Sequence, residues 1–304
     1  MFCGRQICAF FALSAAFALT PISPAFATDQ TTYLLTQTYE TQSQTGDGNG
    51  SSSSSGRNAL VERIVAETED GTEIEYFLPG DPEDIRGNEK WMFPARILVT
   101  PDGGKRLLNH AELEARRRSW FAAAGWSDEM CERWLFTWTG VQILCDPNEV
   151  TEALKIFGMR PGSLVAGQGV ALPGAIELAV LMEVPSNGNY RVLSGSAPID
   201  PNELRSEKAR TAAIIAEISG DRLSYDQAYA ELEGFAARGT LTVTFKIDDE
   251  GLVVERWDDS RIVNKERGKV EETMTSQTVT KRTLVTDVSQ FEIADNDWEP
   301  DARQ

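Results

Sequence analysis

The sequence predicts an α+β protein: antiparallel β-hairpins and sheets with about four helices packed on them, after a cleaved signal peptide. Three observations predict it. Turn dipeptides such as Asp70-Gly71, Asn187-Gly188 and Glu250-Gly251 join alternating apolar and polar runs directly. Capping residues open the helical stretches, with Glu or Gln three residues on. Links this tight leave no room for the crossover that a parallel pair of strands needs.

Each element has its own signal. Tyr33, Leu35 and Tyr39 share one strand parity, so a first strand is expected in 28–44. Gly46-Asp47-Gly48-Asn49-Gly50 and Ser51 to Gly56 offer nothing to bury and read as a loop or flexible linker. Around Asp70-Gly71, Leu60 and Ile64 on one side meet Ile74, Tyr76 and Leu78 on the other as a hairpin. Trp91 to Thr100 reads as a strand closed by Pro101-Asp102-Gly103-Gly104. Asn109 is placed to cap a helix with an apolar face of Leu113, Trp120, Phe121 and Ala124, ended by Gly125. Trp134, Phe136 and Trp138 alternate, as do Val141, Ile143 and Cys145, so two hairpin arms are expected.

Asp146-Pro147-Asn148-Glu149 and Asp200-Pro201-Asn202-Glu203 each combine a cap, a proline suited to the first helical position and a reciprocal Glu. Between them, Ala175 to Val184 reads as a buried strand. The second capped helix runs to Ser219. Ser224 and Gln227 open another that stops near Gly239. Leu241, Val243, Phe245 and Ile247 then alternate with threonines, and a threonine-rich stretch, Val270 to Val288, adds further strands. The segments are 1–27 signal peptide, 28–57 strand and Gly/Ser-rich linker, 58–293 globular region and 294–304 acidic disordered tail. The globular region has a possible division into 58–158 and 159–293.

Met1 to Ala27 carries the export reading. Arg5 precedes an apolar run from Ile7 to Leu19, and Ala25-Phe26-Ala27 is the small-x-small pattern cut before Thr28. The run is too short to span a bilayer, which takes ~20 residues. No membrane span is therefore expected in the mature chain. The shape suits a bacterial periplasmic or secreted protein. Cleavage removes two of the four cysteines, and in an oxidising space Cys131 and Cys145 are expected to pair. The formal net charge of −18 repels phosphate backbones, so nucleic acid is not an expected partner.

The chemistry read from the residues is mostly absence. The single histidine, His110, stands beside a helix start. There is no Gly-x-Ser-x-Gly elbow, no His-Glu-x-x-His and no phosphate-binding Gly-x-x-x-x-Gly-Lys. No cofactor and no metal is assigned. Asp295-Asn296-Asp297-Trp298-Glu299 alternates oxygen ligands but lacks the glycine and distant glutamate of an EF-hand loop. No spacing of carboxylates singles out a pair: Glu177 and Glu183 share a parity with Leu181 inside an apolar run, where a buried pair could do acid–base work, and the alternative reading is the wet side of a sheet. Trp134, Phe136 and Trp138 form a possible binding face, and aromatics at this spacing also serve as core.

These readings lean away from an enzyme. The first expectation is a non-enzymatic binding or structural protein of the cell envelope. An alternative is a carrier of an apolar ligand such as a lipid, its cavity lined by Leu241, Val243, Phe245, Ile247, Leu252 and Val254. Another is a carboxylate-dependent hydrolase of a cell-wall polymer.

Overall fold

The computed structural model describes residues 31–80, 91–136, 140–186, 188–266 and 269–286. Its strands are β1 (Thr32–Thr45), β2 (Ser51–Thr68), β3 (Gly71–Phe77), β4 (Ala95–Val99), β5 (Lys105–Leu107), β6 (Trp134–Phe136), β7 (Gly140–Gln142), β8 (Gly169–Val170), β9 (Ala179–Val180), β10 (Met182–Val184), β11 (Arg191–Pro198), β12 (Ala236–Ile247), β13 (Val253–Lys265) and β14 (Glu272–Val285). The helices are α1 (His110–Ala124), α2 (Glu149–Ala153), α3 (Pro201–Ser219) and α4 (Tyr225–Glu231). The cleavage residues Ala25, Ala27 and Thr28, the indole Trp138 and the acidic tail lie outside the described residues.

Ten strands form one antiparallel sheet in the order β10-β11-β12-β13-β14-β1-β2-β3-β4-β5. Two separate small pairs are β6-β7 and β8-β9. The first and last long strands meet at the centre, where Leu35 stands opposite Arg282 on one side and Leu60 on the other. The sheet therefore joins residues from both expected halves of the globular region. The contacts from Thr31 onward form one unit.

One sheet face carries the core. Leu193, Val243, Phe245, Leu35, Leu60, Ile74 and Ile97 are all buried there. The chain between β7 and β10 packs against them through Val150, Leu154, Phe157, Met159, Leu164 and Leu181. Alternation explains the choice of face, since residues two apart share one side of a strand. Val243, Phe245 and Ile247, three of the six residues expected to line a ligand cavity, are 0–1% exposed within this packed core.

Several sequence expectations change. The serine run is not a linker: Ser51 to Gly56 pairs with Gln44 to Tyr39 along β1. Only residues 46–50 turn, with Gly48 at φ +75°. Composition misleads here because pairing uses backbone groups, which serine carries like any other residue. Tyr39 lies over Gly56 closely enough that a Cβ there would stand 2.2 Å from the phenol oxygen.

The hairpin at Asp70 is present, but Glu69 and Asp70 form its tip and Gly71 already pairs with Thr68. Gly71, at φ +141°, is the position that requires glycine, because a Cβ would approach the Val99 carbonyl oxygen to 2.2 Å. Asn109 precedes α1 without capping it. Its Oδ1 accepts from the Arg96 amide (2.9 Å) instead. The helix opened by Ser224 has the expected capping box but ends at Glu231. Gly234, at φ +84°, then leads into β12 at Ala236. Asp200 caps α3 through the Asn202 amide (2.8 Å), and Gly220 ends it in the left-handed region, as its sequence requires.

The largest change concerns Ala175 to Val184. It holds two short strands, β9 and β10, and its apolar side chains divide by parity. Ala179 and Leu181 are fully buried, while the even-numbered residues face out. An uninterrupted apolar composition suggested burial on both sides, but β10 is the terminal strand and has a core on one side only.

Candidate binding surface

The outward residues of this segment are Ile176 (62% exposed), Leu178 (57%), Val180 (52%), Met182 (62%) and Val184 (40%). They form a ladder of apolar side chains at two-residue spacing. Two features hold it extended. Leu181 donates its amide to the Gln168 carbonyl (2.9 Å) and accepts from the Gly167 amide (2.7 Å), while β10 pairs with β11. Gly195 permits the close approach, since a Cβ there would lie 2.9 Å from the Val180 carbonyl oxygen. Met182 stands opposite Ser194 and Val184 opposite Val192, so this end of the ladder continues onto the sheet face away from the core. That face is polar at its next strand, where Ser194 and Ser196 hydroxyls bond those of Thr244 and Thr242 (both 2.8 Å). Glu177 and Glu183 flank the ladder as exposed residues. A buried carboxylate pair is therefore not formed and the solvated reading of these two residues holds, because within that parity group Ala179 and Leu181 meet the core and the glutamates do not.

A second feature lies at the middle of the core face. Glu62, on β2, is fully buried. Its carboxylate accepts from Arg160 (2.8 Å), from Arg282 (3.3 Å) and from the Tyr76 hydroxyl (3.2 Å). Burial pushes this carboxyl up, but the two guanidinium charges outweigh it and hold the group below its ordinary value. Burial, reinforced by the Glu62 charge, drives the Tyr76 phenol well above its ordinary value. The same region clamps the segment 156–160 to the sheet. Gln37 donates to the Ile156 carbonyl (2.6 Å), Arg256 to Gly158 (3.2 Å) and Arg282 to Met159 (3.3 Å). Sequence reasoning missed this cluster. Arg160 and Arg282 lie 98 and 220 residues from Glu62, so no local spacing reveals them.

The third feature is the disulfide region. Cys131 and Cys145 are bonded across β6 and β7. Trp134 is half-buried on β6. The backbone of Phe136 is in the same strand, and Trp138 lies outside the described residues, so the three-aromatic face is not brought together as a described surface. Beside the disulfide is a recess of about 310 Å³ lined by Arg117, Asp128, Glu132, Asp146 and Glu149. Arg117 is buried and donates to Asp128 (2.8 Å). Glu149 carries a buried Oε2 with no hydrogen-bond partner among the described residues. Burial, then the nearby Asp146 and Glu132 charges, raises its carboxyl above the ordinary value. His110 is exposed.

Among the described residues, no helix is long and apolar enough to cross a membrane. Among the described residues no group of three or more His, Cys, Asp or Glu is arranged to hold a metal ion. No family model and no curated protein matches the chain. Among solved structures, one titled "Lipid-protein interactions in lipovitellin" is similar over 83% of this chain, at 10% identity and a TM-score of 0.37. The chain spans 25% of that protein's length, and similarity of this size does not establish a shared fold.

Proposed function

We propose that the protein is an exported, non-enzymatic binding protein of the bacterial cell envelope that holds its partner against the Ile176–Val184 ladder. One observation carries this reading: five apolar side chains, each 40–62% exposed, stand in a row on a rigid segment. Water contact at such a row is unfavourable, and covering it would contribute roughly 1 kcal/mol or more per side chain. The flanking Glu177 and Glu183 keep the row soluble when uncovered. An apolar ligand such as a lipid would use the same ladder from the outside rather than an internal cavity.

The test is photo-crosslinking from position 182 in the native envelope, with the exposed Ser196 as control. A discrete protein adduct specific to position 182 supports the binding reading. A lipid adduct there assigns the apolar-ligand form. Equal labelling at both positions, or none, overturns it.

The recess beside the disulfide favours a second reading, a carboxylate-dependent hydrolase. Glu149 would be the acid, its carboxyl raised above the ordinary value by burial and then by the Asp146 and Glu132 charges. Turnover of wall polysaccharide or peptide by the purified chain, abolished in Glu149→Gln with folding intact, would establish it. No turnover above background would end it.

A further inference from the structure

Charges around Glu62 do not balance. Arg160, Arg282, Arg256 and Lys105 bring four cations to this part of the core face beside the carboxylates of Glu62 and Asp258, while the exposed Lys155 and Glu152, which also act on Lys105, pair with each other (2.7 Å) and add no net charge. Asp258 is engaged by Arg256 (2.6 Å). Both Glu62 oxygens are occupied by the guanidiniums and the Tyr76 hydroxyl. Lys105 points from β5 toward the same place and makes no hydrogen bond or ion pair with a described residue. The Nε atoms of Arg160 and Arg282 are buried without a partner among the described residues. A cavity of about 10 Å³ lies here, walled by Glu62, Tyr76, Lys105 and Arg160 and closed by apolar side chains that include Leu154 and Phe157. That volume admits roughly one solvent-sized particle.

From this geometry we infer that the cavity between Lys105 and Arg160 is a binding site for a single halide ion, chloride under ordinary conditions. Size and charge select the ligand together. Water would fit but would leave the surplus positive charge uncompensated in a poorly solvated place. Carboxylates, phosphate and sulfate offer the charge but have too many atoms for the space. Lys105 is half-buried rather than sealed, which gives the ion a way in. Burial, then repulsion from Lys155 and Arg256, lowers the Lys105 ammonium below its ordinary value, and a neighbouring anion would reverse that strain. The ion would complete the clamp that holds 156–160 on the sheet.

The test follows the quadrupolar broadening of the chloride resonance by the full chain, with Lys105→Met and Lys105→Arg alongside. The expected result is broadening that bromide competes away and formate does not. It should vanish in Lys105→Met and persist in Lys105→Arg. Broadening no greater than buffer, or undiminished in Lys105→Met, overturns the site. Should Lys105→Met not fold, bromide-soaked crystals of the unmodified chain decide. An anomalous peak between Lys105 and Arg160 supports the site, and a map without one there rejects it.

Discussion

Glu62 shows what a single buried charge demands of its surroundings. It is fully buried, and its arginine partners come from a loop and from β14, the last strand in the chain and a central one in the sheet. Glu62→Gln keeps the shape but leaves two guanidiniums uncompensated. A loss of about 3–5 kcal/mol is expected, to be measured by urea unfolding near neutral pH. The pH dependence follows from the direction of the shift. The folded carboxyl titrates below the ordinary value of 4.5, so on acidification the unfolded chain takes up its proton first. The stabilisation is present above that ordinary value and drains away as pH falls through the folded one. Unfolding midpoints should therefore decline more steeply with acid in the native chain than in Glu62→Gln, and equal slopes would remove Glu62 from the acid response. None of this was legible in the sequence. No local pattern around Glu62, Arg160 or Arg282 marks them as partners, since the two arginines lie 98 and 220 residues from Glu62 and meet it only through the fold.

At the scale of elements, legibility depended on whether a signal acts through local backbone geometry. Capping of α3 and α4 was read correctly because a cap needs only four consecutive residues. The Cys131–Cys145 bond was read correctly because the expected export would leave only these two cysteines to pair. It closes a loop of separation 14 and is expected to contribute about 3 kcal/mol. Calorimetry of a Cys131→Ser/Cys145→Ser chain should show a lowered transition, and an unchanged one would mean that the hairpin holds without it. The Asp70 hairpin was read, but its tip was misplaced by one residue. Gly71→Ala should cost roughly 1–3 kcal/mol, since it forces both a rare φ and a collision with Val99. A neutral effect in chemical denaturation would contradict that geometry.

From Thr31 onward the described residues form one broad ten-stranded sheet, with a core on one face and an apolar ladder at its end, beside two small strand pairs. The fold class was legible in outline. The joining of β1 to β14 was not, because nothing local links Leu35 to Arg282. The ladder was read as core because composition cannot say which strand will be the last in a sheet. Val180→Asp, at another exposed position of the ladder, should leave folding stability within about 0.5 kcal/mol while removing the position-182 adduct. Loss of stability beyond that would return the ladder to a structural role. At the same scale, export predicts a mature mass that begins at Thr28, two hydrogens light, in the soluble envelope fraction. An uncut chain in the cytoplasm would defeat the envelope assignment.

The serine strand has a consequence of its own. From Thr38 to Thr45 and from Ser51 to Asn58 no side chain is buried, and β3 pairs only with Val61–Thr68 of β2. This stretch is held in register chiefly by its peptide groups, with few side-chain contacts beyond Ser43–Ser52 (3.0 Å) and Tyr39 over Gly56. Its letters are thus nearly free to drift over evolutionary time, provided the amides survive. Saturation mutagenesis of Ser51 to Ser55 should be almost silent, with proline at amides bonded to β1 as the exception. To any comparison of sequences such a strand would look like a hinge, and to hydrogen exchange it would look like a wall.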